Sequence, residues 1–240
     1  MALRVFHPCQ FFFADQDIRV DVTTTSGGVS LSGYEDVIGT GGGGIWRADF
    51  SNADFGDRDD EGRAETLAWR AGNAAMQGGS IAVDLVFCDP LHQPVTDGGR
   101  VPHSDQTPFG DDALYRSSGA SGTVLAVVNG QVGGNRATIL DITLTSERPL
   151  LGGERFSYQG ANGWGWRAAE IFSIEPISGG YRVEISPPIR GGIKAGDPLD
   201  FDNIRCQMRR TSPASNPLNM GAFSSGSISF QEDMRPPVQP

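Results

Sequence analysis

Residues 179–209, GGYRVEISPPIRGGIKAGDPLDFDNIRCQMR, decide the fold class. Tyr181, Val183 and Ile185 alternate with Arg182, Glu184 and Ser186, the period of a half-buried strand. Pro187 and Pro188 stop the pairing, because proline has no N–H to donate. Gly191, Gly192 and Gly196 supply a turn before Leu199 and Phe201 begin the next edge. The stretch predicts two short strands around a rigid turn, with no group placed for bond chemistry.

The same pattern extends outward. TVLAVV (123–128) and ATILDITL (137–144) are strand-like, and LLGGERF (150–156) reads as a turn entering a strand. Trp164, Trp166, Ala168, Ile171 and Ile174 lead into the 179 segment. About five or six short strands with glycine turns predict a small barrel or sandwich.

Nearer the N-terminus, Ile18, Val20 and Val22 form one alternating run, and Val29, Leu31 and Tyr34 another. GTGGGG (39–44) connects to IWRADF (45–50), a strand anchored by Trp46. A helix is predicted from about Asp59 to Gln77. Asp57, Asp59, Asp60 and Glu61 complement its dipole. Ala64, Leu67, Ala68, Ala71 and Ala75 recur as one narrow apolar face, expected to lie against a sheet. Gly78 and Gly79 end the helix. Within it, Gly72 costs about 1 kcal/mol relative to alanine. SIAVDLVFC (80–88) follows as a strand with Ile81, Val83, Leu85 and Phe87 on one side.

Pro90, Pro94, Pro102 and Pro108 mark an irregular crossing. After the linker 211–221, FSSGSISF (223–230) is a last strand that can return to the first sheet. The expected organisation is a discontinuous β-sandwich domain, 1–95 with 206–240, a connector at 96–120, and an inserted β-barrel at 121–205.

At 240 residues the chain can bury a core without staples. Its net charge of −10 argues against general nucleic-acid affinity. Cys9, Cys88 and Cys206 have no paired spacing. They are expected as small apolar residues, neither bridged nor bound to zinc. The N-terminal apolar patch is broken by His7, Pro8 and Asp15, and no stretch approaches the ~20 apolar residues of a membrane span. Synthesis and folding in the cytoplasm are expected.

Several motifs look chemical. Asp57 to Gly62 begins like a calcium loop, but Ala68 stands at the twelfth place, where a glutamate is required. Gly39-x-Gly41-x-x-Gly44 matches a dinucleotide fingerprint, but a strand, not a helix, is expected after it. Asp54-Phe55-Gly56 stands without the rest of a kinase signature. Cys88 and His92 are the least improbable nucleophile–base pair. Trp164 and Trp166 share a face of a predicted strand, either as a sugar platform or as a core or interface anchor, the second being favoured. No catalytic, cofactor-binding or metal-binding residue is assigned, and no cofactor is expected.

Taken in order, GGVSLSGYEDVIGTGGGGIWRADF, the alanine-rich helix, SIAVDLVFCDP, ISPPIRGGIKAGDPLDFDNIRCQMRR and GSISFQED carry a resemblance. The chain resembles tail proteins of long-tailed, non-contractile bacteriophages, and among them the distal tail proteins that join tail tube to tail tip. The resemblance implies a mainly β protein: a β-sandwich belt with one flanking helix, plus an inserted OB-like or galectin-like barrel. It also implies a non-enzymatic virion protein that forms a ring of its own copies, usually six and alternatively three, and meets the tail tube protein and the hub or tip proteins. The alternatives are a host-surface carbohydrate-binding tail module, another tube or hub component, or a cell-wall hydrolase. Sequence-specific nucleic-acid binding and a membrane segment are not expected.

Overall fold

The computed structural model describes residues 4–11, 13–39, 42–54, 60–89, 92–94, 100–101, 115–116, 125–128, 136–144, 149–161, 163–213 and 225–235. In chain order the strands are β1 (Arg4–Phe6), β2 (Phe13–Asp21), β3 (Thr24–Val29), β4 (Glu35–Gly39), β5 (Ile45–Asp54) and β6 (Val83–Val86). Next come β7 (Arg100–Val101), β8 (Tyr115–Arg116), β9 (Leu125–Val128), β10 (Ile139–Leu144) and β11 (Arg155–Gly160). The last five are β12 (Gly165–Ile177), β13 (Gly180–Ser186), β14 (Pro198–Asp200), β15 (Arg205–Arg210) and β16 (Ser225–Glu232). One α-helix, α1 (Asp60–Ala75), lies between β5 and β6.

The protein is mainly β. Two curled sheets carry the architecture: a six-stranded sheet in the order β1-β6-β15-β16-β5-β2, and a closed barrel in the order β10-β13-β12-β11-β14-β9. All six barrel strands fall between β6 and β15 in sequence. The last strand, β16, pairs antiparallel with β5, Phe230 opposite Ala48. The β3–β4 pair stands as a separate hairpin.

Each curled sheet encloses its own core. Alternation puts Trp46, Ala48 and Phe50 of β5, Ile228 and Phe230 of β16, Cys206 and Met208 of β15, and Val83 and Leu85 of β6 on one inner face. Phe6, Phe11, Phe13 and Trp69 close that core. The barrel core holds Leu140, Ile142, Phe156, Ile171, Val183, Ile185, Leu199 and Phe201. Val183 and Ile185 therefore point inward, as their alternation predicts, while Tyr181 lies partly buried beside them.

Helix α1 departs from expectation. The predicted packing face points outward: Ala64, Ala68 and Ala71 are exposed and Leu67 is 50% exposed. The buried side carries Gly62, Trp69 and, just past the helix end, Met76, with Gly72 approaching the Phe6 ring. Both stripes recur at helical spacing. The sheet takes the one with Trp69 and Met76, because large apolar side chains remove far more area from water than alanines do.

The cysteine expectation is also corrected. Cys9 and Cys88 form a disulfide, with Cα atoms 6.0 Å apart across 79 residues of sequence. Parallel pairing of β1 with β6 (Phe6 opposite Leu85) brings the two segments together, a contact that spacing cannot reveal. Cys206 is free and buried, as expected, and burial pushes its thiol pKa upward. Reducing the Cys9–Cys88 bridge is expected to cost about 2–4 kcal/mol by releasing a long loop in the unfolded chain. Urea unfolding with and without reductant measures the loss, and the Cys9→Ala/Cys88→Ala variant should match the reduced protein.

Asp84 lies on β6 with its neighbours on both sides buried. It is 7% exposed, and its Oδ1 has no hydrogen-bond partner. Burial raises its carboxyl pKa above the ordinary 3.8, against the pull of Arg205 and Arg167. A raised folded pKa means that the contribution favouring the fold is present at low pH and lost as pH rises through the folded value. Asp84→Asn is therefore expected to raise Tm at pH 7, with the gain shrinking as pH falls through the raised folded pKa and the native carboxyl takes up its proton. Thermal melts of both proteins across that range check it.

Candidate assembly surfaces

The sheet and the barrel meet around one buried carboxylate. Glu232, at the end of β16, is 1% exposed. It accepts hydrogen bonds from Arg167 Nη1 at 3.1 Å, Arg190 Nε at 3.1 Å and the Trp46 backbone N–H at 3.3 Å. Arg167 comes from β12, and Arg190 from the turn after β13. Arg167 also donates to the Asp233 and Trp164 carbonyls, and Arg190 to the Gly44 carbonyl. Trp46 Nε1 donates to the Ala168 carbonyl at 2.7 Å. Arg155 donates to the Ile18 carbonyl at 3.1 Å and lies over the Trp46 ring. With every partner supplied, this buried charge cluster fixes how the barrel sits on the sheet. Sequence reasoning missed it, since three residues 23 to 65 positions apart leave no local signal.

Trp164 lies in the turn between β11 and β12 and not on a strand; β12 begins at Gly165. The indole packs on Gly191, whose φ of +76° and 2.7 Å clearance to the ring exclude a side chain. Arg167 stands over its ring at 5.1 Å. Arg205 covers Trp166 at 4.3 Å. Both rings are partly buried and engaged by guanidinium groups. That arrangement is an anchor held by cation–π contact, with the ring faces a sugar would need partly taken.

Cys88 is bridged to Cys9 and so offers no thiolate. His92 lies close by in sequence, but its Nδ1 pairs with Asp89 at 2.6 Å and its side chain is 77% exposed. The structure thus brings a histidine and a carboxylate together, with the Cys88 sulfur held in the bridge. Gly39 ends β4 and Gly44 precedes β5, so a strand follows the glycine fingerprint. The first residues of the calcium-like loop, Asp57 to Asp59, and Phe55-Gly56 lie outside the described residues. Among the described residues, no group of three His, Cys, Asp or Glu could hold a metal ion, and no helix is long and apolar enough to cross a membrane.

A cleft of about 540 Å³ opens between Asp89, His92, Gln93 and Pro94 on one side and Pro149 with residues 151–155 on the other. Glu154 in its wall is held by the Leu151 and Gly152 N–H groups at 2.6 and 2.8 Å. Gln93 lines the cleft at 5% exposure, and neither its amide oxygen nor its nitrogen has a partner.

No protein-family model matches the chain, and no curated protein matches it.

A cluster of exposed apolar side chains lies on the β3–β4 hairpin, where every residue of both strands is exposed. Val29 is 70% exposed, Tyr34 78%, and Leu31 stands fully in solvent at the tip. Val37 and Ile38 are more than half exposed. The sequence marks the Val29–Leu31–Tyr34 run as apolar, but not that the chain itself buries none of it. Contiguous apolar exposure of this kind marks an interaction surface.

Proposed function

We propose that this chain is a structural virion protein, a ring-forming distal tail protein that joins a phage tail tube to the tail tip or baseplate hub. Its working partners are sister copies, the tube protein and the hub proteins, and its location is the tail tip of the virion. The observation that carries the reading is the projecting β3–β4 hairpin with its exposed Val29, Leu31, Tyr34, Val37 and Ile38. A hairpin that buries nothing is marginal by itself in water, and one rich in apolar side chains suits a subunit of a larger assembly. The resemblance of ordered segments along nearly the whole chain supplies the tail-tip context.

The barrel inserted between β6 and β15 fits a module carried on such a ring, locked to its sheet by Glu232. A saccharide-binding role through Trp164 and Trp166 has less support, because Arg167 and Arg205 already occupy the rings. A hydrolase built on Cys88 and His92 would lack its nucleophile while the bridge to Cys9 stands.

Native mass spectrometry together with negative-stain imaging of the purified protein tests the reading. A single ring of six or three copies, with a hole wide enough for duplex DNA, is the expected result. Stacked rings growing into a tube would assign the chain to the tube instead. A protein that stays monomeric at every concentration would end the structural reading.

A further inference from the structure

The hairpin needs a surface to cover its apolar side chains. In its register Val29 pairs with Glu35, Ser26 with Val37 and Thr25 with Ile38. Val29, Glu35 and Val37 therefore share one face, while Asp36 and Ile38 lie on the other. Leu31 and Tyr34 project from the connecting turn. The arm is thus apolar with two acidic residues and no basic one.

A second hairpin is a poor occupant, because it would set Glu35 and Asp36 against like charges. The outward face of α1 has the opposite character. Leu67 stands among Ala64, Ala68 and Ala71, and the exposed Arg63 and Arg70 run along one side. Hairpin and helix face are both unburied in the single chain.

We propose that the β3–β4 arm of one copy docks on the outer face of α1 of the next copy. Leu31 and Tyr34 lie on the Leu67–alanine surface, and Glu35 and Asp36 pair with Arg63 and Arg70. The contact is heterologous: each copy donates one arm and receives one, so the chain of contacts closes into a ring or continues as a filament. This inference rests on the ring-forming reading and adds which two surfaces meet.

The test compares oligomer masses by native mass spectrometry. Wild type is expected to give the closed ring, and Leu31→Ser/Tyr34→Ser to give the monomer. Glu35→Arg/Asp36→Arg should dissociate likewise, and adding Arg63→Glu/Arg70→Glu to it should restore the ring. A Ser32→Cys/Ala68→Cys variant should give a reducible ladder of linked subunits on a denaturing gel. Because the hairpin is exposed, circular dichroism of all variants should match wild type. If wild type forms a ring that persists in both hairpin variants and no ladder forms, the pairing is wrong while the ring reading stands. If wild type is monomeric throughout, the ring reading fails and the pairing falls with it.

Discussion

Glu232→Ala is expected to destabilise the protein by about 3–5 kcal/mol, because it strands Arg167 and Arg190 without their buried counter-charge. Arg167 and Arg190 are 2% and 8% exposed. Their remaining acceptors are backbone carbonyls of Trp164, Asp233 and Gly44, which stabilise a cation less than a carboxylate does. The Trp46 N–H loses an acceptor as well. Glu232→Gln keeps the shape and one oxygen, so its loss should be smaller. Urea unfolding read separately by tryptophan fluorescence and far-UV circular dichroism measures both variants. A loss under about 1 kcal/mol for the alanine variant, typical of an exposed ion pair, would mean that the cluster is solvated and does not hold the two modules together.

Trp69→Ala is expected to cost a similar amount, about 3–5 kcal/mol, by opening a cavity beneath α1. The indole is fully buried, 5.4 Å from the Phe11 ring centroid, 6.0 Å from Phe13 and 6.5 Å from Phe6. Those phenylalanines come from the first strands and their connecting turn, so the loss spreads beyond the helix. Leu67→Ala is the matched control. On the outward face it should change the stability of the dissociated subunit by less than about 0.5 kcal/mol. Denaturant melts of the two variants discriminate the helix orientations directly. If Leu67→Ala proves the costly change and Trp69→Ala the mild one, the helix packs by its alanine face.

Helix α1 marks where sequence reading reaches its limit. Its existence and approximate extent follow from local periodicity and the terminal glycines. Its orientation does not, because two stripes satisfy the same 3.6-residue period. The choice falls to the stripe that removes more apolar area from water against the sheet beneath, the one with Trp69 and Met76. The β13 segment gave no such ambiguity: Val183 and Ile185 face the barrel core because a strand has only two sides and the other carries Arg182 and Glu184. The tryptophan pair shows the intermediate case. Trp164 and Trp166 were legible as large anchors, but Trp164 lies in the turn before β12 and Trp166 on the strand, and while Arg167 over Trp164 is a near neighbour in sequence, Arg205 over Trp166 comes from β15, which no short motif connects to it.

A mainly β chain with one helix and a glycine-turned barrel of short strands could be read from local pattern, since these follow from periods of two and 3.6 and from residues that cannot continue a strand. Tertiary structure alone decided the Cys9–Cys88 bridge, the burial of Glu232 between two arginines, the outward alanine face and the bare hairpin. Each depends on which distant segments the sheets bring within a few ångströms of one another, and a one-dimensional pattern holds no record of that distance.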